Sequence, residues 1–110
     1  MVVWWGASVE VRSAIARELR TGKITSNGQV QAIVKLNELR REWDEILPSN
    51  ELRDRAETIV ERHQLRAADA LQLAAALAWC SGHPRNRAFI SGDAQLLAAA
   101  AQAGFNALQA

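Results

Sequence analysis

Three short runs of β-branched, aromatic and other apolar residues interrupt a chain whose remaining apolar positions follow a helical period. The runs cover residues 2–5, 88–91 and 105–108, and Gly6 closes the first. Short apolar runs without strict alternation are typical of strands that are covered on both faces. We therefore predict a buried strand at the start of the chain and two further strands near its end.

Between these runs, apolar residues recur every three or four positions, which is the pattern of amphipathic helices. Ser8 is a candidate N-cap for a first helix that ends near Gly22. Thr25 or Ser26 opens a second and longer segment, which is predicted to continue until Pro48 stops it. Its apolar positions are Val30, Ile33, Val34, Leu36, Leu39, Trp43 and Ile46.

Three further helices are predicted in the second half of the chain. Ser49 and Asn50 cap one whose many charged residues occupy the side away from the core, as on a solvated face. Residues 66–80 form an alanine-rich helix that is apolar around most of its circumference, so we expect it to be buried on several sides. Asp93 begins the last helix and Gly104 ends it.

The order of these elements predicts an α/β fold with a small, mostly parallel sheet flanked by helices. Each connection between successive strands contains a helix, which is the connection that parallel pairing requires. A chain of 110 residues with 49% hydrophobic residues is expected to form a single domain spanning residues 1–110. In such sheets, ligands bind beyond the carboxyl ends of the strands, so the residues that follow each strand are candidates for chemistry.

Composition and charge exclude several classes of protein. The formal net charge of +1 is too balanced for a protein that coats nucleic acid nonspecifically. The single Cys80 excludes an internal disulfide and a zinc ribbon. No positively charged leader and no apolar run of about 20 residues is present, so we expect a soluble cytoplasmic protein without a membrane segment.

Two acidic residues follow predicted strands. Glu10 lies in the first turn of the first helix, where a carboxylate also stabilises the helix dipole. Asp93 follows the strand at residues 88–91, and Asp is a favoured N-cap, so capping is the simpler interpretation of that residue taken alone.

Asp69 is a third acid that stands apart from the charged helix faces. It lies four residues from both Leu65 and Leu73, and therefore on the same side of its helix as apolar residues. A carboxylate in such surroundings must be protonated, paired or bound to a cation. Arg66 and a backbone N–H near the helix start are the alternative partners, and the residues alone do not decide between them and a metal or catalytic role.

Taken together, these acids predict a site for a hard cation. Glu10 and Asp93 are expected at the same edge of the sheet, and the helix that bears Asp69 can lean toward that edge. Carboxylates without nearby thiols or histidines suit Mg²⁺ or Mn²⁺ rather than zinc. Such a cation supports phosphoryl chemistry, because it polarises a phosphodiester oxygen and orients a water.

At these residues, the chain resembles the PIN-domain family, and within it the VapC-type toxins of type II toxin–antitoxin systems. The stretches that carry the resemblance occur in the family's order and span nearly the whole chain. They are residues 2–6, 9–11, 13–17, 65–74, 89–96 and 100–105.

The resemblance implies a three-layer PIN-like fold and a metal-dependent endoribonuclease that cleaves RNA and is inhibited by a cognate antitoxin protein. By position, Glu10, Asp69 and Asp93 match the family's catalytic and Mg²⁺-binding (or Mn²⁺-binding) acids. Ser91 matches a small hydroxyl residue that accompanies the last acid. Family members are often dimeric, and we expect a homodimer here, because an incomplete parallel sheet leaves edges that a second copy can cover.

One departure from the family keeps a second interpretation open. The family begins with a strand that ends in an aspartate, followed by about two helices, and these residues contain no such segment before the strand at residues 2–5. The chain is therefore expected to be a partial PIN-like domain. The alternative to a nuclease is a non-catalytic remnant that binds an antitoxin, a partner subunit or RNA.

Overall fold

Five helices and four strands follow one another in a mixed α/β order. The computed structural model describes all of residues 1–110, as two units that comprise residues 1–45 and 46–110. The elements are β1 (Val2–Trp4), α1 (Ala7–Arg20), α2 (Ser26–Glu42), β2 (Asp44–Ile46), α3 (Asn50–Arg62), α4 (Ala67–Trp79), β3 (Ala88–Ser91), α5 (Ala94–Ala103) and β4 (Asn106–Gln109). None of the helices combines the length and the hydropathy needed to cross a membrane.

The strands form two separate two-stranded sheets rather than the single sheet predicted from the sequence. β1 pairs with β2, and β3 pairs with β4. The α/β character of the chain is confirmed, whereas the prediction of one sheet is wrong, because the residues after α2 form a strand that the sequence did not reveal and that pairs with β1. The expectation that Glu10 and Asp93 lie at the edge of one sheet therefore loses its basis in strand pairing.

The helical pattern of apolar residues continues beyond the actual end of α2. The helix ends at Glu42, and Trp43 has an extended backbone, with φ −89° and ψ 153°. The Asp44 N–H donates a hydrogen bond of 2.8 Å to the Met1 carbonyl, and the Trp43 indole donates one of 3.1 Å to Glu45. Pairing with the N-terminal strand thus satisfies backbone groups that a continued helix would have used, and the prediction that the helix reaches Pro48 is wrong.

The first unit contains little buried apolar surface. α1 packs against α2, and Leu36 is the one hydrophobic residue of residues 1–45 that belongs to the buried core. Val30 and Val34, which the helical pattern assigned to an apolar stripe, are more than half exposed. Ser8 does not cap α1, because that helix begins one residue earlier and Ser8 is buried within its first turn.

The second unit is built around α4. α3 and α5 both pack against this helix, and alanines at the contact allow close approach of the backbones. β3 and β4 are parallel, with Phe89 opposite Ala107, and α5 connects and covers them. The Phe89 and Phe105 rings contact each other with their centroids 5.6 Å apart and their planes tilted by 50°. The buried hydrophobic residues of this unit are Leu52, Ala56, Ile59, Ala70, Leu73, Ala74, Ala75, Phe89, Leu96, Ala99, Ala100 and Phe105.

Candidate functional site

The carboxyl end of β3 leads directly into a hydrogen-bonded turn. The Asp93 N–H donates to the Ser91 hydroxyl oxygen at 3.0 Å, and the Leu96 N–H donates to Asp93 Oδ1 at 2.9 Å. Asp93 is therefore the N-cap of α5, as its residue type indicated. Ser91, predicted to accompany this acid, fixes the backbone that carries it, and the cap occupies only one of the two carboxylate oxygens.

Asp69 lies in the first turn of α4 and is half-buried. Burial raises the pKa of its carboxyl group above the usual value of 3.8, the negative charge of Asp93 raises the pKa further, and Arg66 lowers it. The charges of Asp69 and Asp93 therefore interact within the second unit. Arg66, which the sequence offered as an alternative partner, acts on Asp69 only through its charge and is the weakest of the three influences.

Two carboxylates that repel each other form a site with excess negative charge. The arrangement disfavours the doubly ionised state unless a proton or a cation compensates for the charge. Mg²⁺ keeps several of its waters and takes one or two protein carboxylates in many sites. Asp69 and Asp93 fit this requirement by ligand type and by charge, although neither unit contains a group of three or more His, Cys, Asp or Glu residues arranged to hold a metal ion.

Glu10, the third predicted acid, belongs to the first unit and has a defined partner there. The Trp4 indole N–H donates a hydrogen bond of 3.1 Å to Glu10 Oε1. This contact depends on Gly6, because a Cβ at that position would lie 2.5 Å from the indole nitrogen. The Trp4 ring also contacts the Trp5 ring edge-on, with centroids 6.1 Å apart, while Trp5 itself is half exposed.

A cavity among α3, α4 and α5 is a second feature of residues 46–110. It has a volume of about 730 Å³, with Leu73 and Leu77 of α4 at its apolar side and Arg55 and Arg62 of α3 among its polar residues. Sequence reasoning assigned both arginines to a solvated charged face. Their seven-residue separation, which places them on one side of the helix together with the apolar Ile59, is the signal that could have indicated a shared surface.

Comparisons with known proteins do not assign the chain to a family. No protein-family model matches it, and no curated protein or solved structure shows significant similarity.

Proposed function

We propose that this chain is a PIN-like domain of the VapC toxin type and acts as a Mg²⁺- or Mn²⁺-dependent endoribonuclease in the cytoplasm. The observation that carries the proposal is the interaction between Asp69 and Asp93 within the second unit. The resemblance in sequence order supports the same assignment. Asp93 follows the carboxyl end of β3, which is where α/β proteins place their ligands.

Each residue of the candidate site has a distinct part in this proposal. Asp69 and Asp93 hold the cation, and Ser91 fixes the turn from which Asp93 projects. Glu10 belongs to the first unit, where it accepts the hydrogen bond of the Trp4 indole, and its part as a ligand stays a prediction from the family resemblance. A bound Mg²⁺ would supply polarisation of a phosphodiester oxygen and a water oriented for attack.

Two observations favour a second function, that of a non-catalytic binding module. Capping and turn formation account for Asp93 and Ser91 without a metal, and a hydrogen bond to Trp4 accounts for part of the environment of Glu10. In this case, the chain binds an antitoxin protein, a partner subunit or RNA and leaves the RNA intact.

Under either function, we propose that the chain forms a homodimer. The exposed valines Val30 and Val34 lie four residues apart and so form one apolar strip along α2. Light scattering is expected to give twice the chain mass of 12.1 kDa. A mass of one chain at micromolar concentration would contradict the dimer without affecting the nuclease proposal.

Cleavage of single-stranded RNA distinguishes the two functions. With Mn²⁺ or Mg²⁺ present, we expect the wild-type chain to cleave, and Asp69→Asn and Asp93→Asn to lower the rate at least tenfold. Asn preserves both the shape of the side chain and the ability to cap a helix, so the variants remove charge while retaining the fold. Asp44→Asn, an exposed change at the start of β2, is the matched control. Absence of cleavage by the wild-type chain, or equal cleavage by all variants, would favour the binding module.

A further inference from the structure

The cavity among α3, α4 and α5 combines an apolar floor with basic side chains on one wall. α3 contributes Arg55, Thr58, Ile59 and Arg62, which recur at intervals of three, four and seven residues and therefore share one face of the helix. Leu73 and Ile59, both buried, form part of the floor. We infer that this cavity binds a small organic phosphate of the size of a nucleoside monophosphate, and the inference does not depend on the proposed nuclease.

The two guanidinium groups are unpaired within the chain. Neither Arg55 nor Arg62 forms a hydrogen bond or an ion pair, although Glu51 is placed one helical turn before Arg55, where a salt bridge is commonly found. The Arg55 guanidinium lies instead toward the loop after α4, with Nη1 3.9 Å from the place that a Cβ on Gly82 would occupy. Gly82 has φ +77°, which favours glycine, so the backbone at this contact bears no side chain.

The chemistry of the lining indicates the class of ligand. Guanidinium groups bind phosphate through paired N–H donors, and the two arginines of the lining are offset by about 10 Å along the helix axis, so a single phosphate meets one of them. Asp54 offsets one of the two arginine charges, so the lining keeps a net positive charge. The negative charge of Asp54 disfavours a polyanion, and its carboxylate is an acceptor for hydrogen bonds from hydroxyl groups. Gln102 of α5 adds an amide to the lining.

The size and the floor of the cavity argue against inorganic phosphate alone. A volume of about 730 Å³ lies within the range of small-molecule sites, which is roughly 300–1,000 Å³. Contact between an apolar ring and the leucine and isoleucine side chains of the floor removes apolar surface from water, which favours binding. A nucleoside monophosphate has a group for each part of this lining. Its sugar hydroxyls match the polar wall, its single phosphate matches the arginines, and its aromatic base matches the apolar floor.

Calorimetric titration of the full chain with adenosine 5′-monophosphate tests this inference. We expect saturable binding to the wild-type chain and at least tenfold weaker binding of adenosine or inorganic phosphate. The double variant R55Q/R62Q should bind adenosine 5′-monophosphate at least tenfold more weakly. R20Q/R40Q, which removes the same charge from exposed positions of α1 and α2, should bind as the wild type does.

A second variant tests the cavity without changing any charge. Thr58→Trp places a large ring at an exposed position on the cavity wall and should abolish binding while far-ultraviolet circular dichroism remains unchanged. Failure of the wild type to bind adenosine 5′-monophosphate would overturn the inference. So would equal losses in the two double variants, binding unaffected by Thr58→Trp, or inorganic phosphate binding as tightly as the nucleotide.

Discussion

The two units of this chain differ in how they use their apolar residues. Residues 46–110 bury twelve hydrophobic residues in a core around α4, although Leu47 and Ile90 are among the large apolar side chains that stay exposed there. Residues 1–45 bury only Leu36 and expose Val9, Val30 and Val34. The acid pair and the cavity both belong to the unit with the core. The contrast indicates that residues 46–110 support the acid pair with a packed core, while residues 1–45 offer apolar surface for association.

The sharpest test of this contrast is a pair of truncations. Leu73 is 1% exposed at the centre of α4, so Leu73→Ala should lower the free energy of unfolding by about 2–5 kcal/mol. Val30 is 61% exposed, so Val30→Ala should change the free energy of unfolding by less than about 0.5 kcal/mol. Urea unfolding followed by circular dichroism, at a concentration low enough to keep the chain monomeric, measures both. Similar losses in the two variants would mean that the units do not differ in packing.

Glycine substitutions should sharpen the comparison by giving effects of opposite sign. Gly104 ends α5 with φ +111°, and a Cβ there would lie 3.0 Å from Pro84 Cγ, so Gly104→Ala should destabilise the chain by about 1 kcal/mol or more. Gly28 lies in the first turn of α2 with only ordinary contacts around an added Cβ. Gly28→Ala should stabilise the chain by roughly 0.5 kcal/mol, because alanine favours helix. Thermal unfolding of both variants provides the measurement, and a loss of stability in Gly28→Ala would show that α2 is more constrained than its contacts indicate.

The smallest expected effect concerns the dependence of stability on pH. The pKa of Asp69 is raised in the folded chain, so its ionised form is disfavoured there, and the resulting cost is present at neutral pH. This cost disappears as the pH falls through the raised pKa toward the unfolded value near 3.8. Asp69→Asn should therefore stabilise the metal-free chain at pH 7 by on the order of a few tenths of a kcal/mol.

The pH prediction has its own control. Near pH 3, the stability difference between the wild type and Asp69→Asn should vanish, and Asp44→Asn should show no comparable change across the range. Chemical unfolding at a series of pH values supplies the data. A wild type that is more stable than Asp69→Asn at pH 7 without added cation would mean that the favourable effect of Arg66 outweighs burial and the charge of Asp93 together.

The sequence predicts this fold most accurately where local rules decide the structure. Ser49 and Asp93 both cap the helices that they were expected to cap, and β3 spans the predicted residues. Prediction from the sequence fails where pairing with a distant segment overrides the local pattern. The helical spacing of Trp43 and Ile46 continues past the true end of α2, because nothing local signals that Asp44 will pair with the N-terminus.

Part of the candidate site was also predictable, because local sequence positions indicate it. The position of Asp69 on an apolar side of its helix indicated a carboxylate that must be protonated, paired or bound to a cation, and burial together with Asp93 raises the pKa of this group. The position of Glu10 after β1 did not reveal the indole of Trp4 as its partner, since that contact depends on the absence of a side chain at Gly6. The arginines of the cavity required the tertiary packing of three helices to become visible.

The central claim is that Asp69 and Asp93 form a cation site within residues 46–110. Calorimetric titration with Mg²⁺ and Mn²⁺ at pH 7 tests it most directly, on the wild type and on Asp69→Asn, Asp93→Asn and Asp44→Asn. The account predicts saturable binding in the wild type and in Asp44→Asn, with loss of binding in the other two variants. Absence of binding in the wild type, or binding that survives both Asp69→Asn and Asp93→Asn, would contradict it.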